Sequence, residues 1–244
     1  MSGIGRGGFR LAPQHVRKQT RLAIALAMVA GFVDGFGLLK FSTYLSFMSG
    51  NTTQTGANLG RAAFGLAIPS AIAIGAFLAG VILGNLWSRP EKHARTVFLI
   101  VGVTLGITCA GLRMLLLDPF PAIAIVACSM GLMNTAFSRV GNEPVNLTFV
   151  TGALNKLGGH LARAGKGLPL DGAMGDWDTH ARRAALLASI WGAFLIGAVL
   201  AGIATGLLGD WTLLVPALAV IGVGLFLGGT EAGPSSAADA NSPN

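Results

Sequence analysis

Long apolar segments constrain the fold of this chain more than any other feature of its sequence. A helix needs roughly 20 residues to cross the hydrocarbon core of a bilayer, and six segments approach that length. They are residues 22–39, 66–87, 96–117, 119–138, 184–208 and 212–229. Hydrophobic residues make up 52% of the chain and charged residues only 11%, which exceeds the apolar content that a soluble core requires. We therefore predict an all-α polytopic membrane protein with six transmembrane helices.

Two polar motifs interrupt this apolar sequence. They are LSFMSGNTTQTGANLG at residues 45–60 and LTFVTGALNKLGGHLA at residues 147–162. Each contains a hydroxyl residue followed by glycine, and these pairs are Ser49-Gly50 and Thr151-Gly152. The glycine can supply a turn, and the hydroxyl can cap the helix that follows. We therefore predict two re-entrant or broken motif helices, whose positive ends would point into the membrane and suit an anionic or strongly polar solute.

Three pairs of short segments match in the same order in the two halves of the chain. GFVDGF at 31–36 matches GLMNTA at 131–136, SFMSG at 46–50 matches TFVTG at 148–152, and GAFLAG at 75–80 matches GAFLIG at 192–197. The first match places Asp34 opposite Asn134. We therefore predict two repeats, the first covering about 22–117 and the second about 119–229.

The basic residues predict how these repeats are oriented. If each motif enters and leaves by the same face, Lys40, Arg61 and Arg113 alone among the 17 Lys and Arg residues face outside. If the motifs span the membrane instead, the basic loop 89–95 moves outside, against the usual cytoplasmic bias. We therefore expect three spans in each half and two inverted-topology repeats. The expected location is the bacterial cytoplasmic (inner) membrane, with both termini cytoplasmic.

The segments that flank the membrane domain are short. Residues 1–21 carry five basic residues and no acidic one, which predicts a basic cytoplasmic N-terminal segment. Residues 230–244, TEAGPSSAADANSPN, are small and polar and predict a disordered tail. A single membrane domain is expected over residues 22–229.

Polar side chains of the motifs are the candidates for a substrate path. Ser49 and Thr53 are four residues apart, as are Thr151 and Asn155, so each pair lies on one helical face. Lys156 could attract an anion or pair with Asp34. The full set of candidates is Asp34, Ser49, Gly50, Asn51, Thr52, Thr53, Asn134, Thr151, Gly152, Asn155 and Lys156.

Two structural alternatives remain open for these candidates. In the first, Asp34 and Asn134 serve only as caps of the motif segments and never contact a solute. In the second, the Ser and Thr hydroxyls donate hydrogen bonds to carbonyl groups of their own helix. The RVGNEP sequence at 139–144 could hold a functional Arg-Glu pair, but a solvated turn is the favoured interpretation.

The sequence contains no recognisable pattern for an enzyme, a metal or a cofactor. Cys109 and Cys128 lie in apolar runs without a CxxC or a nearby His/Cys cluster, and the four histidines are scattered. Asp34, Glu143 and His160 are too far apart in sequence to suggest a catalytic site. We therefore expect no enzymatic activity, no metal and no cofactor, and the net charge of +7 needs no nucleic acid to explain it.

Two long stretches carry a resemblance to a known family. GFVDGFGLLKFSTYLSFMSGNTTQTGANLGRA and GLMNTAFSRVGNEPVNLTFVTGALNKLGGHLARA resemble the signature regions of the YoaK-like family of bacterial inner-membrane proteins. The resemblance covers about residues 30–230. The family pattern falls on Asp34, Ser49, Gly50, Asn51, Thr52, Asn134, Thr151 and Gly152. It implies a membrane protein without supplying a substrate.

These observations favour a transporter or channel for a small polar or anionic solute. The alternative is a membrane scaffold or sensor that transports nothing and whose motifs only hold the helices together. A continuous cavity lined by polar residues would favour the first, and a dry, packed centre the second. The expected partners are the lipid bilayer and the solute, and a homo-oligomer is left open.

Overall fold

The computed structural model describes residues 12–86, 93–114, 116–137, 139–145 and 150–230. These residues form eight α-helices, one 3-10 segment and one short β-hairpin. The α-helices are α1 (Gln14–Phe41), α2 (Met48–Gly60), α3 (Phe64–Leu86), α4 (His93–Arg113), α5 (Pro119–Thr135), α6 (Val150–Gly165), α7 (His180–Leu208) and α8 (Leu214–Thr230). The hairpin pairs β1 (Arg139–Val140) with β2 (Glu143–Pro144), and the 3-10 segment Gly209–Leu213 joins α7 to α8.

The long apolar helices confirm an all-α membrane protein. Within the described residues, four stretches are long and apolar enough to cross a bilayer: Gln14–Phe41, Phe64–Leu86, Ala94–Arg113 and His180–Leu227. The last has 48 residues and contains α7 and α8 as far as Leu227. α7 ends before Gly209, where the backbone turns with φ +54°. The apolar α5 has 17 residues and is shorter. Six predicted apolar segments thus correspond to six separate helices, of which α5 ends three residues before the predicted boundary.

The predicted flanking segments lie mostly outside the described residues. Residues 1–11 and 231–244 belong to that part, as does most of the basic loop 89–95. In the described part, α1 begins at Gln14, so that the helix includes the last eight residues of the expected N-terminal segment.

Close helix pairs form the centre of the bundle. The most extensive packing joins α1 to α7, α3 to α5 and α4 to α8. A Cβ atom added at Gly31 would overlap the carbonyl oxygen of Phe194 in α7, and one at Gly131 would overlap that of Phe77 in α3. Only glycine allows the two backbones of each pair to approach so closely, as expected for helices that pack in a membrane.

The contacts also fix the direction of the helices. The first turns of α1 and α7 line a common cavity, and Lys40 near the end of α1 forms an ion pair with Asp210 just after α7. α1 and α7 are therefore parallel. α4 and α8 are antiparallel, because Gly102 packs against Ile221 while Gly224 packs against Leu99. The end at which α1 begins is called the N-terminal end below, and the end that holds Lys40 and Asp210 is called the opposite end.

Candidate functional site

The segment Ser42–Phe47, called the linker below, turns back along α1. Ser42 adopts a left-handed conformation with φ 54°, and the amide of Thr43 donates to the carbonyl of Gly37 at 3.3 Å. The amides of the last linker residues reach Asp34, two turns before the end of α1. At 1.5 Å per residue, the chain has then descended about 10 Å into the bundle.

Asp34 binds the last three residues of the linker, Leu45–Phe47. Its Oδ1 accepts hydrogen bonds from the amides of Leu45 at 2.8 Å, Ser46 at 2.6 Å and Phe47 at 3.3 Å, and its Oδ2 accepts from the Ser46 hydroxyl at 2.7 Å. The Asp34 side chain is only 3% exposed. These are the bonds that the capping alternative expects, since a buried carboxylate satisfies amides that have no helical partner. A contact between Asp34 and a solute stays a prediction.

The helix α2 then runs back towards the opposite end, beside the linker. Asn51 pairs with the backbone of Tyr44 through two bonds, donating to its carbonyl at 2.7 Å and accepting from its amide at 3.1 Å. Gln54 donates to the carbonyl of Ser42 at 2.7 Å. Later residues along α2 thus meet earlier residues of the linker. The first motif therefore enters and leaves at one end of the bundle.

The predicted helix breaks at Gly50 and Gly152 are wrong. α2 is continuous from Met48 to Gly60 and α6 is continuous from Val150 to Gly165, so both glycines lie inside a first helical turn. Phe47, not Ser49, is the N-cap of α2, and its side chain forms no capping bond. The break lies in the linker instead, where Asp34 in α1 and Asn51 in α2 satisfy the linker amides.

Gly50 is constrained by packing rather than by its backbone conformation. The rings of Tyr44 and Phe47 pack edge to face, with centroids 5.3 Å apart. A Cβ atom at Gly50 would lie 2.6 Å from a ring carbon of Phe47 and 2.9 Å from one of Tyr44. Glycine therefore lets the two aromatic rings of the linker lie against the first turn of α2.

The remaining candidates of the first motif lie on the outer face of α2. Ser49, Thr52 and Thr53 are exposed. The Thr52 hydroxyl donates to the carbonyl of Met48 at 2.9 Å, and that of Thr53 donates to the carbonyl of Ser49 at 3.1 Å. Both threonine hydroxyls thus bond to carbonyl groups of their own helix, as the structural alternative to a substrate path predicts.

The second motif helix, α6, runs in the opposite sense to α2. Val150 at its start lines the same cavity as Phe194 in the middle of α7, whereas His160 further along contacts His180, the first residue of α7. α6 therefore runs from the middle of the bundle to the N-terminal end. Thr151 and Asn155 are exposed on this helix.

The other candidates of the second half occupy different places. Gly152 and Lys156 line a cavity of about 190 Å³ between α6, β2 and α7. Lys156 donates to Glu143 at 3.2 Å and to the carbonyl of Pro144 at 2.6 Å, so the suggested pairing with Asp34 is wrong. Asn134 is half-buried near the end of α5. The residues that match the end of the linker, 147–149, lie outside the described residues.

One cavity lies between the starts of the two motif helices. Its volume is about 280 Å³, and both Phe47 and Val150 line it. The other lining residues are Asp34, Gly35, Leu38, Tyr44, Phe194 and Ala198. Apart from the carboxylate of Asp34, the lining side chains are aliphatic or aromatic, and the exposed hydroxyl candidates of α2 do not contribute to it.

A buried ionic cluster at the N-terminal end was missed by the sequence analysis. Glu143 is only 5% exposed, and its Oε2 lies 3.5 Å from His160 Nε2 and 3.3 Å from Arg183 Nη1. The RVGNEP sequence is thus a β-hairpin with a buried acid rather than a solvated turn. Arg183 also binds Asp178 at 2.8 Å. Sequence spacing could not reveal this cluster, because its members come from the hairpin, α6, the segment that leads into α7 and the first turn of α7.

Burial and neighbouring charges set the ionisation of two members of this cluster. Burial lowers the pKa of His160, and the adjacent Glu143 opposes that shift, whereas His180 and Arg183 reinforce it. Burial by itself would raise the pKa of Asp178, but hydrogen bonds from Arg183 and from the amide of Met174 lower the pKa below its usual value. His160 Nδ1 lies 2.8 Å from His180 Nδ1, so one of these two nitrogens carries the shared proton.

The comparisons with known proteins give a family but no activity. Residues 22–226 match a family described as a protein of unknown function, DUF1275. The chain is also 31% identical over 208 residues to a UPF0700 transmembrane protein of Rhizobium meliloti (strain 1021), a match that covers 82% of each chain. No solved structure matches. The expected YoaK-like resemblance is consistent with both matches, and the chain belongs to the DUF1275 family of transmembrane proteins.

Proposed function

We propose that this protein is a transporter or channel for a small polar or anionic solute. The observation that carries the proposal is the cavity of about 280 Å³ between the starts of α2 and α6. Two half-length helices that begin at one central cavity and run to opposite ends would form a gate on each side of a central site. Such discontinuous helices line the substrate sites of many secondary transporters.

The pattern of helix contacts supports an inverted repeat. Gly31 packs against Phe194, and Gly131, at the position matching Gly31, packs against Phe77, at the position matching Phe194. The matched positions therefore make matched contacts. α1 of the first half packs against α7 of the second half, and α5 of the second half packs against α3 of the first half. The pairing of α2 with α3 in the first half is likewise matched by the pairing of α6 with α7 in the second half. We infer a membrane arrangement with six spans and with two motifs that are re-entrant from opposite faces.

The size and lining of the cavity suggest the class of solute. At roughly 30 Å³ for each water molecule, a volume of 280 Å³ holds about nine waters, so the solute is small. The negative charge of Asp34 compensates the positive end of the helix dipole at the start of α2. The residue that matches Asp34 in the second half, Asn134, is uncharged and offers no such compensation to α6. We infer a neutral polar molecule or a small monovalent anion, and multiply charged anions are disfavoured beside the Asp34 carboxylate.

Uptake into proteoliposomes tests this proposal directly. Purified protein would be screened with labelled small anions and neutral metabolites, and Val150→Trp would be compared with Leu154→Trp. Val150 lines the cavity, whereas Leu154 is exposed on the same helix, so only the first change fills the path. We expect uptake to be lost in Val150→Trp and kept in Leu154→Trp. Equal uptake in both variants would contradict a path through this cavity.

Labelling of single cysteines tests the orientation. In a background with Cys109 and Cys128 replaced by Ala, an impermeant thiol reagent should label Asp118→Cys and Asp210→Cys from outside intact cells. A cysteine in the loop 89–95 should react only after the membrane is opened. Labelling of that loop from outside would contradict the re-entrant arrangement.

A scaffold or sensor remains the second candidate. The observation that favours it is the bonding of Asp34 and Asn51, whose side chains hold the protein's own linker through hydrogen bonds. Absence of uptake for every solute, together with normal folding of Val150→Trp, would favour this alternative.

A further inference from the structure

A cavity of about 600 Å³ lies at the opposite end of the bundle and is called the end cavity below. Lys40, Phe41 and Ser42 line one side of it, and Asp118 and Asp210 are among the residues that line the rest. None of the described residues lines both the end cavity and the central cavity of about 280 Å³. The two spaces are therefore separate in this structure.

One short stretch of chain forms a wall between these two cavities. Leu38 lines the central cavity, whereas Lys40 lines the end cavity. Further along, Ser42 lines the end cavity and Tyr44 lines the central one. The stretch 38–44, called the strap below, thus contributes residues to both sides. A movement of the strap would join the two spaces into one path.

The strap lies beyond the closely packed part of α1. A Cβ atom added at Gly35 would lie 2.9 Å from the Cβ atom of Ala201, so the two helices are still in tight contact at that level. Beyond it, Leu38 and Leu39 are exposed, and Ser42 reverses the chain with φ 54°. A helix end followed by a turn can move while the packed part of the helix stays in place.

An ion pair connects the strap to the second half of the chain. The Nζ atom of Lys40 binds Oδ1 of Asp210 in the 3-10 segment after α7. That segment is anchored, because the carbonyl of Asp210 accepts a hydrogen bond from Cys109 Sγ at 3.2 Å and Leu213 is fully buried. One partner of the ion pair thus belongs to a fixed segment and the other to the strap.

The exposure of this ion pair suits a contact that opens and closes. The side chains of Lys40 and Asp210 are 40% and 29% exposed. An ion pair with this exposure biases an equilibrium by roughly fivefold or less, so it can hold a gate closed and still release it. We propose that the strap is the gate between the end cavity and the central cavity, and that the ion pair of Lys40 with Asp210 keeps it closed. The inference rests on the proposed function, in which the central cavity receives the solute.

The rate at which a thiol reagent reaches the central cavity tests this gate without a solute. The full-length protein would carry Val150→Cys as the reporter, because Val150 lines the central cavity. The background would be Cys109→Ser/Cys128→Ala, in which the serine hydroxyl can still donate to the Asp210 carbonyl. Labelling by iodoacetamide, which is small and uncharged, would be followed in phosphatidylcholine nanodiscs.

Removal of either charge should open the gate more often. We expect Lys40→Gln to raise the labelling rate about two- to fivefold, and Asp210→Asn to raise it by a similar factor from the other side of the pair. The charge swap Lys40→Asp/Asp210→Lys restores the attraction and should bring the rate back towards that of the wild type. Asp210→Lys alone places two positive charges together and should label fastest.

Salt and two control variants separate the ion pair from general effects. An increase from about 0.01 M to about 1 M salt shortens the Debye length from about 30 Å to about 3 Å, so it should speed labelling in the wild type and leave Lys40→Gln unchanged. Arg61→Gln removes a positive charge from a residue that lines neither cavity and should label like the wild type. A reporter at Asp118→Cys lies in the end cavity itself and should react equally fast with and without Lys40→Gln.

Three results would overturn the gate: an unchanged rate in Lys40→Gln and Asp210→Asn, a charge swap that labels as fast as Lys40→Gln, or an equal acceleration by Arg61→Gln. Failure of the gate is distinguishable from failure of the proposed function. Unchanged labelling together with normal uptake would overturn the gate alone. Faster labelling in Lys40→Gln without uptake of any solute would support the strap as the gate of the cavity and count against transport.

Discussion

Replacement of Asp34 tests how the first motif is held in place. Asp34→Ala leaves the amides of Leu45, Ser46 and Phe47 and the Ser46 hydroxyl without their acceptor. Each lost bond costs about 1 kcal/mol, so the four together destabilise the fold by about 4 kcal/mol. Asp34→Asn keeps Oδ1 for all three amides, and only the Ser46 hydroxyl must rotate to accept from the new amide group. We expect a cost of about 1 kcal/mol for that change.

The free energy of unfolding in mixed detergent micelles would measure both variants. Ser46→Ala removes the hydroxyl alone and should cost about 1 kcal/mol. The combination of Ser46→Ala with Asp34→Asn should cost more than Ser46→Ala alone, because the new buried amide N–H group then has no acceptor. These comparisons separate the hydroxyl contact from the three amide contacts.

Two results would refute the reasoning. If Asp34→Asn is as damaging as Asp34→Ala, the negative charge rather than the acceptor geometry holds the linker. If neither variant loses more than about 0.5 kcal/mol, the linker is held by other contacts. Once a solute is known, uptake by Asp34→Asn would also test Asp34 as a proton carrier, because an amide cannot titrate in this range.

Three other changes have predictable outcomes. Gly31→Ala should destabilise the protein by about 1–3 kcal/mol or prevent folding, whereas Gly106→Ala, where a Cβ meets open space, should be neutral; unfolding in micelles measures both. Gly50→Val should disturb the Tyr-Phe pair and lower the melting temperature, and Gly56→Val on the same helix should lower it far less. His160 has a lowered pKa, so its neutral form stabilises the fold above pH 6.5, and this contribution should disappear as the pH falls below 6.5. His160→Gln should flatten that pH dependence of the melting temperature, and an unchanged profile would contradict the role of this histidine.

The helices could be predicted from the sequence because a membrane leaves few solutions for an apolar segment of about 20 residues. Each of the six segments became a helix; α1 begins eight residues before the predicted boundary, and the other ends shifted by at most four residues. The repeat also led to matched positions, such as Gly31 and Gly131, that make matched contacts. These predictions depend on patterns that are local or repeated.

The details of the motifs could not be predicted because they depend on distant partners. The linker amides are satisfied by Asp34, at least eleven residues earlier, so the helix start moved to Met48. Gly50 is needed because of two aromatic rings and not because of a turn. The ionic cluster around Glu143 joins residues up to 40 positions apart, and no spacing in the sequence indicates that they meet.

The crossed packing of the two halves has a consequence for biosynthesis. α1 is made first, but its main partner, α7, emerges about 160 residues later, or roughly 8–30 s at the usual rate of ~5–20 residues per second. During that interval Gly31 and its neighbours lack the surface against which they finally pack, so α1 must wait in lipid or against an insertion factor. The three most extensive helix pairs all join one half to the other, so a cell that makes the halves as two polypeptides should assemble the protein only when both are present.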